Sequence, residues 1–304
     1  MDSRPDFVIV GAMKCATSTL HDQLARQGGI FMSTPKEPNF FSDDENWAKG
    51  LGWYESMFEG APPGALRGES STHYTKLPTY PETVARFAEH LPHAKLVYVM
   101  RDPIARLVSQ YIHEWSQASI SVPIDEAVER HPELIAYSRY SAQLEPWIDR
   151  FGAGRVLPVF FERMTEQPQA EFERICRFIG YGDDPVWAED AGPKNVSAAR
   201  IRRSPVRDAV LDTGLAKKLR RTLMPESLRE RIKSRMRMKD RPELSALRRA
   251  WVIERLDPDM ARLGGMLGMR LSCDSFREAM LTGQRSPEWA GTPAGSDQRS
   301  EIAS

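Results

Sequence analysis

Two segments combine glycine, basic and hydroxyl residues in patterns suited to holding phosphate or sulfate. The first is Gly11-Ala-Met-Lys14-Cys-Ala16-Thr17-Ser18-Thr19. Unpaired N–H groups at a helix start carry partial positive charge and bind anions. Lys14 adds a mobile cation, and the three hydroxyls add donors and caps. The spacing differs from G-x-x-x-x-G-K-[ST], because Lys14 stands three residues after Gly11 and three before Thr17. The second segment is Arg101-Asp102-Pro-Ile-Ala-Arg106-Leu-Val-Ser109-Gln-Tyr. Arginine offers a planar fork matched to phosphate oxygens. Ser109 lies eight residues on, about two helical turns. The alternative is that Arg101 pairs with a carboxylate such as Asp102 and that Ser109 is an ordinary surface serine. Asp102 follows the arginine instead of ending the strand in the manner of the Walker B metal ligand of an NTPase.

The elements that must position these segments are legible as an alternation. Apolar, β-branched runs at Phe7–Val10, Leu96–Met100 and Val156–Phe161 read as buried strands. Helical patterns lie between and after them: Thr17–Gln27, Pro103 to about Trp115, Tyr137–Phe151 and Gln167–Ile179. The alternation implies an α/β chain with a central parallel sheet flanked by helices, in a three-layer, P-loop-like arrangement. Ligands in such sheets sit at the carboxyl ends of the strands, where both segments begin. One domain is expected over residues 1–281, with a basic helical part at about 201–270. The polar, Gly/Ser/Pro-containing stretch 282–304 is expected to be disordered.

Composition narrows the class. The 304 residues carry 42 Lys+Arg and 42 Asp+Glu, so no overall charge draws the chain to nucleic acid or membrane. Three scattered cysteines are too few for a disulfide framework or a zinc site, and no metal is expected. No basic n-region precedes a long apolar run at the start, and no apolar run reaches the roughly 20 residues that span a bilayer. A reduced, cytoplasmic setting is expected.

Taken together, the segments resemble the PAPS-dependent sulfotransferase family, PAPS being 3′-phosphoadenosine 5′-phosphosulfate. GAMKCATSTL is similar to the family's 5′-phosphosulfate loop, and RDPIARLVSQY to its 3′-phosphate motif. Lys36–Ser42 (KEPNFFS) resembles the K-E-P-H-F-F-D segment of heparan-sulfate-type carbohydrate sulfotransferases, and Gly68–Tyr74 (GESSTHY) their G-E-K-S-P-x-Y segment. The resemblance runs from about Phe7 to Gly180. It implies transfer of a sulfuryl group from PAPS to an acceptor hydroxyl, without a metal, releasing adenosine 3′,5′-bisphosphate. Gly11, Lys14, Ala16, Thr17, Ser18 and Thr19 would hold the 5′ end, with Lys14 also acting on the leaving oxygen. Arg101 and Ser109 would hold the 3′-phosphate. Lys194 and Arg200 would reach it from a later strand. Glu37 matches the glutamate that serves as base, with Glu69 and His73 in reserve. Asn39, Ser42 and Ser70 depart from the heparan-type pattern at charged positions. The departures, together with the expectation of no N-terminal membrane anchor, point to a soluble, bacterial-like member acting on a small sugar, glycolipid or natural product.

Two other classes stay open. A P-loop-like nucleotide kinase would need magnesium and ATP. A non-catalytic protein would use residues 201–240, where thirteen Lys/Arg face five Asp/Glu, on nucleic acid or a membrane surface. That stretch holds no aromatic residue for stacking bases, so nucleic acid is not the expected partner. Membrane-surface contact there is compatible with an amphipathic helix.

Overall fold

The computed structural model describes residues 4–189 and 240–291. Five strands form one parallel sheet: β1 Phe7–Gly11, β2 Ile30–Met32, β3 Leu66–Ser70, β4 Lys95–Met100 and β5 Val156–Phe160. Their spatial order is β2-β3-β1-β4-β5. Val8 lies opposite Glu69 on one side and Leu96 on the other, and Leu96 faces Val156. All five residues of β1 are buried, as a central parallel strand covered on both faces requires.

The chain runs outward from β1 in opposite directions, to β2 and β3 on one side and to β4 and β5 on the other. The crevice between the carboxyl ends of β1 and β4 is therefore the topological switch point where α/β sheets bind ligands. Two helices start there, α1 Thr17–Ala25 after β1 and α5 Pro103–Ser116 after β4. The other principal helices are α2 Asp44–Trp47, α3 Leu51–Glu55, α4 Thr83–His90, α6 Ile124–Arg130, α7 Glu133–Ala136, α8 Tyr140–Phe151, α9 Phe161–Glu166 and α10 Pro168–Ile179, followed by α11 Ala246–Met266 and α12 Phe276–Leu281. Pro158 sits within β5, which is tolerated because β5 pairs on one side only among the described residues.

The expectation of disorder from residue 282 is corrected as far as residue 291. Buried Arg163 donates to the carbonyls of Met280, Thr282, Gly283 and Arg285, so its rigid fork fixes the turn after α12. Trp289 is buried, and its indole N–H donates to the outward-facing carbonyl of Val156 at 2.5 Å. Arg174 donates to the next outward carbonyl, that of Pro158, at 2.6 Å. Composition suggested a loose tail. In the fold Trp289 of this stretch and Arg174 of α10 meet carbonyls on the side of β5 that pairs with no strand among the described residues. The basic stretch 201–239 and residues 292–304 lie outside the described residues.

Candidate active site

The loop after β1 begins at Gly11, where the chain has room for no side chain. A Cβ there would stand 2.1 Å from Thr75 Oγ1 and 2.7 Å from the Tyr98 ring. Ala12 N–H donates to Val99 O, tying the loop to β4. Lys14 and Ala16 adopt left-handed backbone, φ 73° and 64°. Non-glycine residues hold that region only where their surroundings over-determine it, and such turns align successive N–H groups into an anion-binding concavity. Ala16 caps α1 without a side-chain bond. The first intrahelical donation is Leu20 N–H to Ala16 O, and the N–H groups of Thr17, Ser18 and Thr19 have no acceptor among the described residues. Loop and helix start thus offer three aligned donors to an anion.

Arg101 leaves the end of β4 and is held by its backbone. Tyr140 Oη donates to Arg101 O at 2.7 Å and accepts from Arg101 N–H at 3.3 Å. Tyr140 is fixed in turn by α11, because Asp259 accepts from the N–H groups of Ser141 and Ala142 at the start of α8. The Arg101 guanidinium lies 4.4 Å from the centroid of the Phe161 ring and makes no ion pair among the described residues. Asp102 does not compete for it. Its carboxylate caps α5 by accepting from Ala105 N–H at 2.6 Å, and its N–H donates to Glu162 Oε1. Ser109 is buried on α5. Lys194 and Arg200 fall outside the described residues.

The loop bearing Glu37 is fastened to the end of β3. Glu37 N–H donates to Ser70 O at 3.0 Å, and Asn39 N–H to Ser71 Oγ at 3.0 Å. Glu37 and Asn39 are left-handed, φ 60° and 51°. Phe40 and Phe41 anchor the loop from behind. Phe40 stacks on Tyr54 at 4.9 Å, and Phe41 packs against Phe87 at 5.0 Å. Glu37 remains 37% exposed on its side chain, so an acceptor can reach it.

One lysine joins the two halves of the site. Lys36 Nζ donates to Ser18 Oγ at 2.8 Å and to Glu37 Oε1 at 3.1 Å. Thr72 Oγ1 donates to the same carboxylate oxygen at 3.5 Å. Burial alone would raise the Glu37 carboxyl. Lys36 outweighs it through charge and hydrogen bond, with His73 and Lys76 adding to the pull, and the group is held below the usual carboxylate range. Glu37 is therefore an ionised acceptor-only group at neutral pH.

The reserve bases occupy different surroundings. His73 stacks on Tyr80 at 5.0 Å, and burial, aided by Lys76, lowers it to about 4. It is neutral at pH 7. Glu69 is wholly buried within β3 and accepts from Tyr54 Oη at 2.5 Å. Its other oxygen meets no donor with hydrogen-bond geometry, although the hydroxyls of Ser71 and Tyr74 lie close enough to favour its charged form. Glu69 holds the aromatic cluster that carries Glu37 and does not open onto the crevice.

Two basic residues of the site carry no pattern of their own in the sequence. Lys36 was visible only as the neighbour of Glu37; its contact with Ser18 crosses between elements. Lys76 follows the 3-10 turn Thr72–Thr75, lies 5.9 Å from the Tyr137 ring centroid, and is lowered to about 8 chiefly by burial, against the pull of Glu37 and Glu114.

Residues 53–185 match the family described as "Sulfotransferase family". That match spans 133 of the 304 residues. Over 189 residues it is 29% identical to heparan sulfate glucosamine 3-O-sulfotransferase 3B1 of Mus musculus, covering 58% of this chain and 46% of that protein. Over 202 residues it is 27% identical to bifunctional heparan sulfate N-deacetylase/N-sulfotransferase 2 of Homo sapiens, covering 59% of this chain and 22% of that one. The chain thus spans less than half the length of these curated relatives. The solved sulfotransferase from Alicyclobacillus acidocaldarius superposes with a TM-score of 0.55 at 23% identity, covering 84% of this chain and 95% of that one. That likeness bears out the expected three-layer α/β fold.

Proposed function

We propose that this chain is a sulfotransferase that moves the sulfuryl group of PAPS to a hydroxyl of a small acceptor, releasing adenosine 3′,5′-bisphosphate. The observation that carries the reading is the Lys36 bridge, which sets an ionised, solvent-reachable carboxylate beside an anion-binding helix start.

The donor fits the groups present. The unpaired N–H groups of Thr17, Ser18 and Thr19, with Lys14, suit its 5′ end. Arg101, which is without an ion pair among the described residues and is braced over Phe161, suits a 3′-phosphate, with Ser109 as a further contact. The donor supplies a sulfuryl group on a good leaving oxygen. Glu37 accepts the acceptor's hydroxyl proton while the new O–S bond forms and the old S–O bond breaks. Lys14 and the loop amides meet the charge that develops on the leaving oxygen. Lys36 holds Glu37 in place and ionised, so the base is ready before the acceptor arrives. Glu69 and His73 act from behind, the first by fixing the aromatic anchor and the second as a neutral wall. The buried, unpaired thiols of Cys15, Cys176 and Cys273 suit a reducing, cytoplasmic setting.

Calorimetric titration of the metal-free protein with adenosine 3′,5′-bisphosphate tests the reading, with AMP and ATP as controls. Binding that requires the 3′-phosphate is expected. Equal or tighter binding of ATP would overturn it in favour of a kinase.

A further inference from the structure

Arg106 is an arginine with no exposed surface, one helical turn into α5 and directly behind the anion loop. Its Nε donates to Ser138 Oγ at 2.7 Å, and its Nη2 to Gln110 Oε1 at 2.7 Å and Leu134 O at 2.9 Å. Nη1 reaches Met13 O, in the anion loop, at 3.5 Å. Every acceptor is neutral, and no carboxylate pairs with it among the described residues. The titratable groups that act on it most are Tyr140, Cys15, Tyr98 and Tyr137, and burial raises each of them, the Cys15 thiol to about 11. None supplies negative charge at neutral pH. A buried guanidinium is ordinarily retained only with a counter-charge.

We propose that Arg106 is a positioning residue of the anion loop and that the bound anion is the counter-ion of its buried charge. The proposal rests on the reading of residues 11–19 as the donor site. A cation enclosed by apolar and neutral groups is screened little by solvent, so its field at the loop is strong. Its bond to Met13 O also fixes the loop one residue before the left-handed turn at Lys14. The same side chain therefore shapes the cradle and charges it. Arg106, with no exposed surface, acts through the loop without touching the ligand.

The test is titration of the full chain with pyrophosphate, AMP and adenosine 3′,5′-bisphosphate, in the wild type, Arg106→Gln, Arg106→Lys and Ser138→Ala. Arg106→Gln is expected to weaken binding in order of ligand charge, by on the order of tenfold or more for the bisphosphate and pyrophosphate and by less for AMP. Arg106→Lys keeps the charge and is expected to stay within a few-fold of wild type. Ser138→Ala removes a neutral acceptor and leaves the charge. It is expected to lower the melting temperature while anion affinity holds within about twofold. Equal losses for all three ligands, or a loss in Ser138→Ala matching that in Arg106→Gln, would assign Arg106 to packing alone and overturn the proposal. If Arg106→Gln does not fold, the other two variants decide, because anion affinity that falls in step with their stability refutes it. Wild-type protein that binds pyrophosphate but not the bisphosphate would sink the donor reading, and the pyrophosphate series would still judge Arg106.

Discussion

Replacing Glu69 by glutamine offers a quantitative test of the buried carboxyl behind the site. Glu69 is enclosed on all sides and accepts from Tyr54 Oη. Burial is the main influence and pushes its carboxyl from the ordinary 4.5 up to about 7, with the hydroxyls of Ser71, Tyr54 and Tyr74 pulling partway back. A folded value above the unfolded one means that the fold favours the protonated form. The associated stability is fully present below the unfolded value and is lost as the pH rises through about 7. The full interval corresponds to about 3 kcal/mol, of which about 2 to 3 kcal/mol falls between pH 5 and pH 8.5. Glutamine keeps the shape, accepts the Tyr54 bond and cannot ionise. Urea unfolding across that range should show wild type losing this stability on alkalinisation and Glu69→Gln retaining it. The variant should therefore overtake wild type at alkaline pH. Parallel curves for the two proteins would refute the reasoning, because they would mean that Glu69 ionises as easily in the fold as in the unfolded chain.

Three further outcomes are expected. Glu37→Gln should lower turnover by about 10²–10⁴-fold while leaving calorimetric affinity for adenosine 3′,5′-bisphosphate intact; near-wild-type turnover would remove Glu37 as base. Lys36→Met should let the Glu37 carboxyl rise toward its ordinary value, so the acid limb of kcat/KM moves to higher pH, and an unmoved limb would show that Lys36 does not hold the carboxylate ionised. Trp289→Ala should cost about 3–5 kcal/mol in urea unfolding, the range for a buried aromatic, and a cost under about 1 kcal/mol would mean that Trp289 does not hold residues 282–291 against β5.

The alternation of strand and helix was legible because β1, β4 and β5 are short apolar runs buried on both faces, where periodicity and β-branching speak plainly. The edge strand β2 spans three residues, too few to carry a pattern. The strand β3 reads LRGES, polar by type, and nothing local announces that Glu69 and Ser70 are fully buried. Its partners at Tyr54 and Val8 come from elsewhere in the chain. The tail misled for a related reason. Gly, Ser and Pro reflect weak local preference, whereas Arg163 and the sheet edge impose order from outside.

The site divides along the same line. Sequence by itself determined which residue types stand at the ends of β1 and β4, because glycine, lysine, hydroxyl and arginine spacing within one loop is a local property. It also marked Glu37, through its place in the Lys36–Ser42 segment. Only the tertiary structure decided what those residues face. It joined Ser18 to Glu37 through Lys36, kept Arg101 clear of Asp102, turned Glu69 inward onto Tyr54, and closed Arg106 behind the loop with no counter-charge among the described residues. Protonation and charge depend on burial and on neighbours distant in sequence, and those are set when the sheet and its helices pack.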